Sequence, residues 1–369
     1  MGQNWDIFCN VVDNYGDIGF SWRLARQLAN EYGQKVRLWV DDLSSFCRIC
    51  PEGRMIEAQH CKGVEVRHWS SPFPDVLPFD VVVESFGCRL PERYLEKMAQ
   101  MPQKPVWVNL EYLSAEDWVR DSHGMPSPHP KLPLVKYFFF PGFSRDTGGL
   151  LLEKDLLEQR DAFFSDPDSR SNFWRELGVD PKGRTRISLF CYENPALDSL
   201  FGAWAEGEEA ILCLVPEGRI VRQVKDFFGS GPLSRGSLEV AVIPFVPQEK
   251  YDSLLWACDV NFVRGEDSFV RAQWAGKPFI WQIYPQEQEA HLKKLDAFLS
   301  LYCEELDSSA ASAVGAMWQA WSGNGDAGSA WRNFIECRME LDAHGRSWAA
   351  QLSGNNLASN LLDFCRGRR

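Results

Sequence analysis

Short apolar runs alternate with stretches of helical periodicity along most of this chain, and that alternation constrains the fold more than any other feature. Residues 5–12 (WDIFCNVV) read as a buried strand that stops at a polar, glycine-containing turn, Asp13-Asn14-Tyr15-Gly16-Asp17-Ile18-Gly19. Trp22, Leu24, Ala25, Leu28 and Ala29 follow at three- and four-residue spacings and predict a helix. Further strands are expected at 36–40, 64–69, 80–86, 105–110 and 137–140, with a helix over 92–101. Strands that alternate with helices imply right-handed crossovers and a mainly parallel sheet.

The rhythm breaks at 142–185, a segment rich in Gly, Asp, Arg and Ser with helical pieces at 150–164 and 172–177. It then resumes, with strands expected at 187–192, 211–215, 238–244, 260–263 and 278–284 and helices between them. Beyond Glu287 the pattern is helical, with Trp318, Trp321, Trp331 and Trp348 as packing anchors. At ~150 residues per domain, 369 residues make two or three domains. The expected division is a first Rossmann-like lobe over 1–150, a connection over 151–185, a second such lobe over 186–305, and helices over 306–369 packing on the lobes. Two doubly wound α/β lobes facing a central cleft is the architecture that follows.

Composition narrows the partners. Apolar residues at 45% and charged residues at 24% are ordinary for a globular protein. The net charge of −12 opposes general nucleic-acid binding, which needs clustered Lys and Arg to displace counterions, so a macromolecular partner is expected to be a protein. No apolar run approaches the ~18 residues of a membrane span and no targeting signal is recognisable, which gives an expectation of a cytoplasmic protein. Eleven cysteines, an odd number without a secretory signal, argue against a disulfide framework. Cys47, Cys50 and Cys61 lack a regularly spaced fourth ligand, so buried, reduced thiols are the simpler reading. Asp41-Asp42 alternates faces on a strand and does not form a chelating pair, so no metal is assigned.

Three polar or aromatic groups fall just beyond strand ends, where open α/β sheets bind ligands. In the first turn, Asp13 and Asp17 stand four residues apart: either Asp17 caps the following helix, or the two form a catalytic carboxylate pair. The second group is Arg264-Gly265-Glu266-Asp267-Ser268, which opens a helix and so offers backbone N–H groups to an anion. Arg264 and Arg271 add positive charge there, while Asp267 or Ser268 has the alternative of being a plain N-cap. Glu266 and Asp267 suit neutral sugar hydroxyls better than phosphate. The third group, Phe190, Tyr192 and Phe245 with Gln248, offers faces for a planar base and an amide to read its edge; the rival reading places those rings in the core.

These residues resemble a known family. Asp13–Gly19 with Ser21–Arg26, the stretch 109–116, Lys136–Gly142, Gly148–Leu150 and above all the thirteen-residue Arg264–Gly276 (RGEDSFVRAQWAG) are similar to the bacterial protein-arginine rhamnosyltransferases that modify translation elongation factor P. The resemblance spans essentially the whole chain. It implies a GT-B-like fold and an inverting, metal-independent transfer of L-rhamnose from dTDP-β-L-rhamnose to an arginine of elongation factor P, with no cofactor. By the same resemblance, Asp13 and Asp17 are the catalytic carboxylates. Phe190, Tyr192, Phe245 and Gln248 hold the thymidine, and Arg264, Glu266, Asp267 and Ser268 surround the ribose and diphosphate. Glu111 and Tyr112, at a strand end, either meet the acceptor or brace the Asp13 loop. Two rival readings are a two-carboxylate glycosidase, which predicts sugar release without a nucleotide, and a non-catalytic nucleotide-sugar-binding protein, which predicts binding without modification of a partner.

Overall fold

Strand β1 (Asn4–Cys9) is buried from Trp5 onward on both faces, as a central parallel strand must be when helices cover both sides of its sheet. The computed structural model describes residues 2–13, 15–284 and 290–368, so Asn14 and Glu287 of the readings above lie outside the described residues. The chain divides into two compact units, Met1–Lys154 together with Leu352–Arg369, and Asp155–Gln351.

In the first unit β1 is followed by α1 (Gly16–Asn30), β2 (Lys35–Val40), α2 (Leu43–Ile49), β3 (Ala58–Cys61), β4 (Val64–His68), β5 (Val81–Ser85), α3 (Glu92–Gln100), β6 (Val106–Leu110), α4 (Trp118–Ser122), β7 (Pro126–Pro128) and β8 (Val135–Phe139). The eight strands form one sheet in the order β3-β4-β2-β1-β5-β6-β8-β7. The inner pairings are parallel, with Trp5 level with both Val36 and Val81. Only the edge strands β3 and β7 run antiparallel. Both were absent from the sequence reading: each is short and exposed, so neither carries an apolar run. The β3–β4 hairpin turns through Lys62 and Gly63, both at positive φ.

One carboxylate anchors this sheet. Asp6, fully buried on β1, accepts two hydrogen bonds from Arg37 (2.5 and 2.7 Å), one from Trp39 Nε1 (3.0 Å), one from the Phe79 amide (2.9 Å) and one from the Tyr94 hydroxyl (2.5 Å). A buried charge is tolerable when it is paired with a cation and its lone pairs are filled. Around it pack Phe8, Trp39, Val82, Tyr94, Met98 and Trp107.

The second unit contains α5 (Leu156–Ser165), α6 (Pro167–Leu177), β9 (Thr185–Leu189), α7 (Leu197–Glu206), β10 (Ile211–Pro216), α8 (Ile220–Phe228), β11 (Ser234–Arg235), β12 (Leu238–Ile243), α9 (Gln248–Ala257), β13 (Val260–Arg264), α10 (Asp267–Ala275), β14 (Phe279–Gln282), α11 (Ala290–Tyr302), α12 (Ser308–Trp321), α13 (Ala327–Glu336) and α14 (Arg338–Leu352). Its sheet has the order β11-β12-β10-β9-β13-β14 and is parallel except at β11. All four expected tryptophan anchors are buried, and Trp318 donates to the Phe279 carbonyl at 3.0 Å.

The linear division of the sequence differs from these units at both junctions. The 151–185 segment supplies α5 and α6 to the second unit, α6 starting where the Asp166 carboxylate caps the amides of Asp168 and Ser169. The last helix, α15 (Leu357–Arg366), belongs to the first unit. Leu150 and Asn356 form a parallel bridge, and Asn355 and Asn360 donate to the Ser144 and Gly148 carbonyls. Gly149 permits this approach: at φ +79° a Cβ there would lie 2.2 Å from the Asn355 carbonyl oxygen. The missing Cβ at Gly149 is therefore what lets the returning chain pack here.

Asp6→Ala leaves Arg37 buried without its partner and is expected to destabilise the protein by about 3–5 kcal/mol in equilibrium denaturation.

Candidate active site

In the first unit, β1 and β5 are neighbours whose connections leave toward opposite edges of the sheet, so their carboxyl ends flank a topological switch point. Asp17 lies there in the first turn of α1 and is 2% exposed. It does not cap its own helix. Its Oδ2 reaches back to accept the amides of Val12 and Asp13, both at 2.8 Å, and its Oδ1 accepts the Tyr112 hydroxyl at 3.3 Å. Burial raises the Asp17 pKa and the nearby Asp13 carboxylate adds to the rise; the two amides and Tyr112 oppose it, and the net shift is upward. Asp13 is only half-buried, and its carbonyl accepts the Gly16 amide at 2.6 Å. Its carboxylate lies over Gly16, where a Cβ would come within 2.6 Å of Oδ2.

The loop after β5 supports this corner from behind. Phe86 (φ +55°) and Arg89 (φ +50°) are non-glycine residues in the left-handed region, a conformation worth about 1–2 kcal/mol of strain each. The loop is pinned by Gly87 N–H to Asn109 Oδ1 (3.1 Å) and Arg89 N–H to Glu84 Oε1 (2.9 Å). Held this way, the Phe86 ring stacks on Tyr112 at 4.4 Å and meets Phe20 edge-on at 5.5 Å. Of the two roles expected for Tyr112, the geometry displays the bracing one. Asp41 and Asp42 are engaged by backbone, Asp41 with the amides of Val11 and Asp42, and Asp42 as the N-cap of α2.

In the second unit the equivalent switch point lies between β9 and β13. Gly265 turns the chain at φ +58°, its carbonyl held by Trp281 Nε1 at 2.6 Å. The helix α10 begins with Glu266 as N-cap and no side-chain cap, so the N-cap reading of Asp267 or Ser268 does not apply. Ser268 instead closes the turn, accepting the Arg264 amide at 3.0 Å and donating to the Arg264 carbonyl. The Arg264 guanidinium stands 4.5 Å from the ring centres of both Phe190 and Tyr192. The Tyr192 amide donates to Gln282 Oε1 at 2.8 Å, and Gln248 donates to Asp267 at 3.1 Å.

Of the eight expected donor-site residues, Phe190, Tyr192, Arg264 and Ser268 are thus joined by contacts at the β9 and β13 ends, and Gln248 and Asp267 by a hydrogen bond between α9 and α10, with Glu266 preceding Asp267 as the N-cap of α10. Phe245 lines a cavity of about 550 Å³ with Phe163, Phe173, Leu177 and Leu254. Sequence reasoning missed Phe86, Arg89 and Gln282; the only signal for the first two is the polar, aromatic FGCRL that follows the strand VVVES. Among the described residues no group of three or more His, Cys, Asp or Glu side chains could hold a metal ion, and no helix is long and apolar enough to cross a membrane. Burial pushes the Cys61 thiol up to about 11.

Two doubly wound α/β units with polar side chains at their switch points are the architecture of the GT-B fold. A UDP-glucosyltransferase from Polygonum tinctorium shares the fold at a TM-score of 0.51 and 11% identity, over 99% of this chain and 98% of its own. Closer likenesses specify the family. The model of the elongation-factor P (EF-P) rhamnosyltransferase EarP matches residues 5–366. The protein-arginine rhamnosyltransferase of Pseudomonas putida is 50% identical over 99% of both chains, and that of Pseudomonas aeruginosa 47% identical over 98% of both. A solved structure described as the structural basis for EarP-mediated arginine glycosylation of translation elongation factor EF-P is 37% identical, covers all of both chains and superposes with a TM-score of 0.71. The chain belongs to the EF-P rhamnosyltransferase (EarP) family and is a glycosyltransferase.

Asparagine at position 17 keeps an oxygen for the Val12 and Asp13 amides, so Asp17→Asn is expected to change stability by less than about 0.5 kcal/mol at neutral pH, whereas Asp17→Ala costs about 1–3 kcal/mol. A raised folded-state pKa means that folding takes up a proton. The stability this adds is complete below the unfolded value of ~3.9 and is lost as pH rises through the folded value. Thermal denaturation across that range should show this slope in the wild type and its loss in Asp17→Asn.

Proposed function

We propose that this enzyme transfers L-rhamnose from dTDP-β-L-rhamnose to one arginine of elongation factor P with inversion at the anomeric carbon. The observation that carries the reading is the Asp17 carboxylate, buried beside the β1–β5 switch point with its proton affinity raised. A guanidinium, with a pKa above ~12, is unreactive until it loses a proton. Asp13, the more accessible of the pair, orients the guanidinium through paired hydrogen bonds. As one arginine nitrogen bonds to the anomeric carbon, the carbon–oxygen bond to the diphosphate breaks and its electron pair leaves with dTDP. The proton lost by the nitrogen passes to Asp17.

The second unit provides for the donor in this reading. The uncapped amides of α10 and the Arg264 guanidinium stabilise the departing diphosphate. Glu266, Asp267 and Ser268 lie around the ribose and diphosphate, and Phe190, Tyr192, Phe245 and Gln248 hold the thymidine. The relatives named above support the arginine acceptor, and the EarP structure concerns EF-P itself. The acidic chain suits a basic acceptor loop, whose approach its charge would steer.

Incubation with dTDP-rhamnose and elongation factor P, followed by mass spectrometry of the acceptor, is expected to show one added deoxyhexose on a single arginine. Free rhamnose with an unmodified acceptor would favour a hydrolase, and nucleotide binding without either product a sensor. Asp17→Asn is expected to lose turnover while its dTDP affinity stays within about twofold of wild type, a change of roughly 0.4 kcal/mol. Tyr112 favours the ionised form of Asp17, so Tyr112→Phe should raise that pKa and move the acid limb of kcat/KM to higher pH. A limb that stays in place would remove Asp17 from the role of base.

A further inference from the structure

Two helices of the second unit carry a four-membered polar ladder whose inner half no role above accounts for. Gln248 and Asp252 stand one turn apart on α9, and Asp267 and Arg271 one turn apart on α10. Gln248 Nε2 donates to Asp267 Oδ2 at 3.1 Å, Arg271 Nε donates to the same oxygen at 3.3 Å, and Arg271 Nη1 donates to the Asp252 carboxylate. Arg271 is 2% exposed and Asp252 6%. A guanidinium placed this deeply, between two carboxylates, cannot meet a ligand directly; its charge acts through the side chains it holds.

We propose that Arg271, seated by Asp252, is a positioning residue of the donor site: it neutralises Asp267 and, through it, aims Gln248. The inference rests on the donor-site reading given above. Asp267 lies in the first turn of α10, beside the amides that would receive a diphosphate. An uncompensated carboxylate there repels that anion at short range in a medium of low dielectric. Paired with Arg271, the same carboxylate keeps its hydrogen-bond acceptors for a neutral hydroxyl while its repulsion of the phosphates is cancelled. The ladder also orients the Gln248 amide. A carboxylate accepts only from the NH2 group, so the Gln248 carbonyl is the end turned away from Asp267. Asp252 completes the arrangement by fixing the guanidinium from its other edge, as a planar fork allows and a lysine ammonium does not.

The test is calorimetric titration of the full chain with dTDP. Wild type is expected to bind, and Arg271→Met to bind at least tenfold more weakly. In an Asp267→Asn background the same Arg271→Met change is expected to cost less than threefold, because the carboxylate beside the diphosphate-binding amides is already gone. Equal losses in the two backgrounds would show a merely architectural residue and overturn the proposal, as would a folded Arg271→Met protein with wild-type affinity. Should Arg271→Met fail to fold, Arg271→Lys keeps the charge without the fork. It is expected to raise the donor KM at least threefold with kcat within twofold, and an unchanged KM would overturn the proposal. Failure of the wild type to bind dTDP sinks the donor-site reading and this inference with it; binding by the wild type with an indifferent Arg271 sinks this inference alone.

Discussion

A carboxylate enters a protein interior only where donors already stand to meet it, and the kind of donor decides what the acid can then do. Asp6 and Asp17 make the contrast within one unit. Asp6 meets a guanidinium, an indole, a backbone amide and a phenol, and with a cation in contact it serves as a structural anchor at the centre of the sheet. Asp17 meets two amides and one hydroxyl. Dipoles hold its position without supplying the full charge that would cancel its desolvation, so its proton affinity rises. The same amide bonds fold the loop after β1 back onto α1, so the placement of Asp13 depends on Asp17 as well.

The second unit solves a related problem by adding a cation. Its candidate donor site carries Glu266 and Asp267 at a helix start that would otherwise suit an anion. Arg271 stands one turn further along the helix, inside the protein, between Asp267 and Asp252. Placing the positive charge behind the acid instead of in the site leaves Arg264, 4.5 Å from the ring centres of Phe190 and Tyr192, as the cation nearer the nucleotide in the proposed reading. In that reading one arginine tunes a neighbour and the other serves the ligand.

Much of this fold was legible because central parallel strands are buried on both faces and leave short, predominantly apolar runs: β1, β2, β5, β6, β9, β10 and β13 were all recognisable. The edge strands β3 and β7 were not, since exposed pairs of backbone need no apolar side chains. The return of α15 to the first unit was hidden for a different reason. It depends on what a missing Cβ at Gly149 permits, and a glycine in a sequence does not say which distant backbone will approach it. The polar turns at Asp13–Gly19 and Arg264–Ser268 stood out because strand ends seldom carry so many charges. The direction of the Asp17 side chain, away from its own helix, and the inward turn of Arg271 were invisible: the first depends on how the loop aims the Val12 and Asp13 amides, with Tyr112 meeting the other oxygen, and the second on Asp252 of a different helix.

The two halves of the proposed chemistry make opposite electrostatic demands. Accepting a proton from a guanidinium favours a carboxylate with raised proton affinity and no cation bound to it. Releasing a diphosphate favours positive potential, which would lower that same affinity if it acted on the same residue. Housing the base on one folded unit and the cationic donor residues on another lets each environment be set by its own sheet and helices: burial and dipoles around Asp17, arginines and an uncapped helix around Asp267. Within the first unit, the strained Phe86 loop then has a physical reason. Its backbone conformation sets a ring against Tyr112, and Tyr112 is the hydroxyl that moderates the rise of Asp17 without adding a charge.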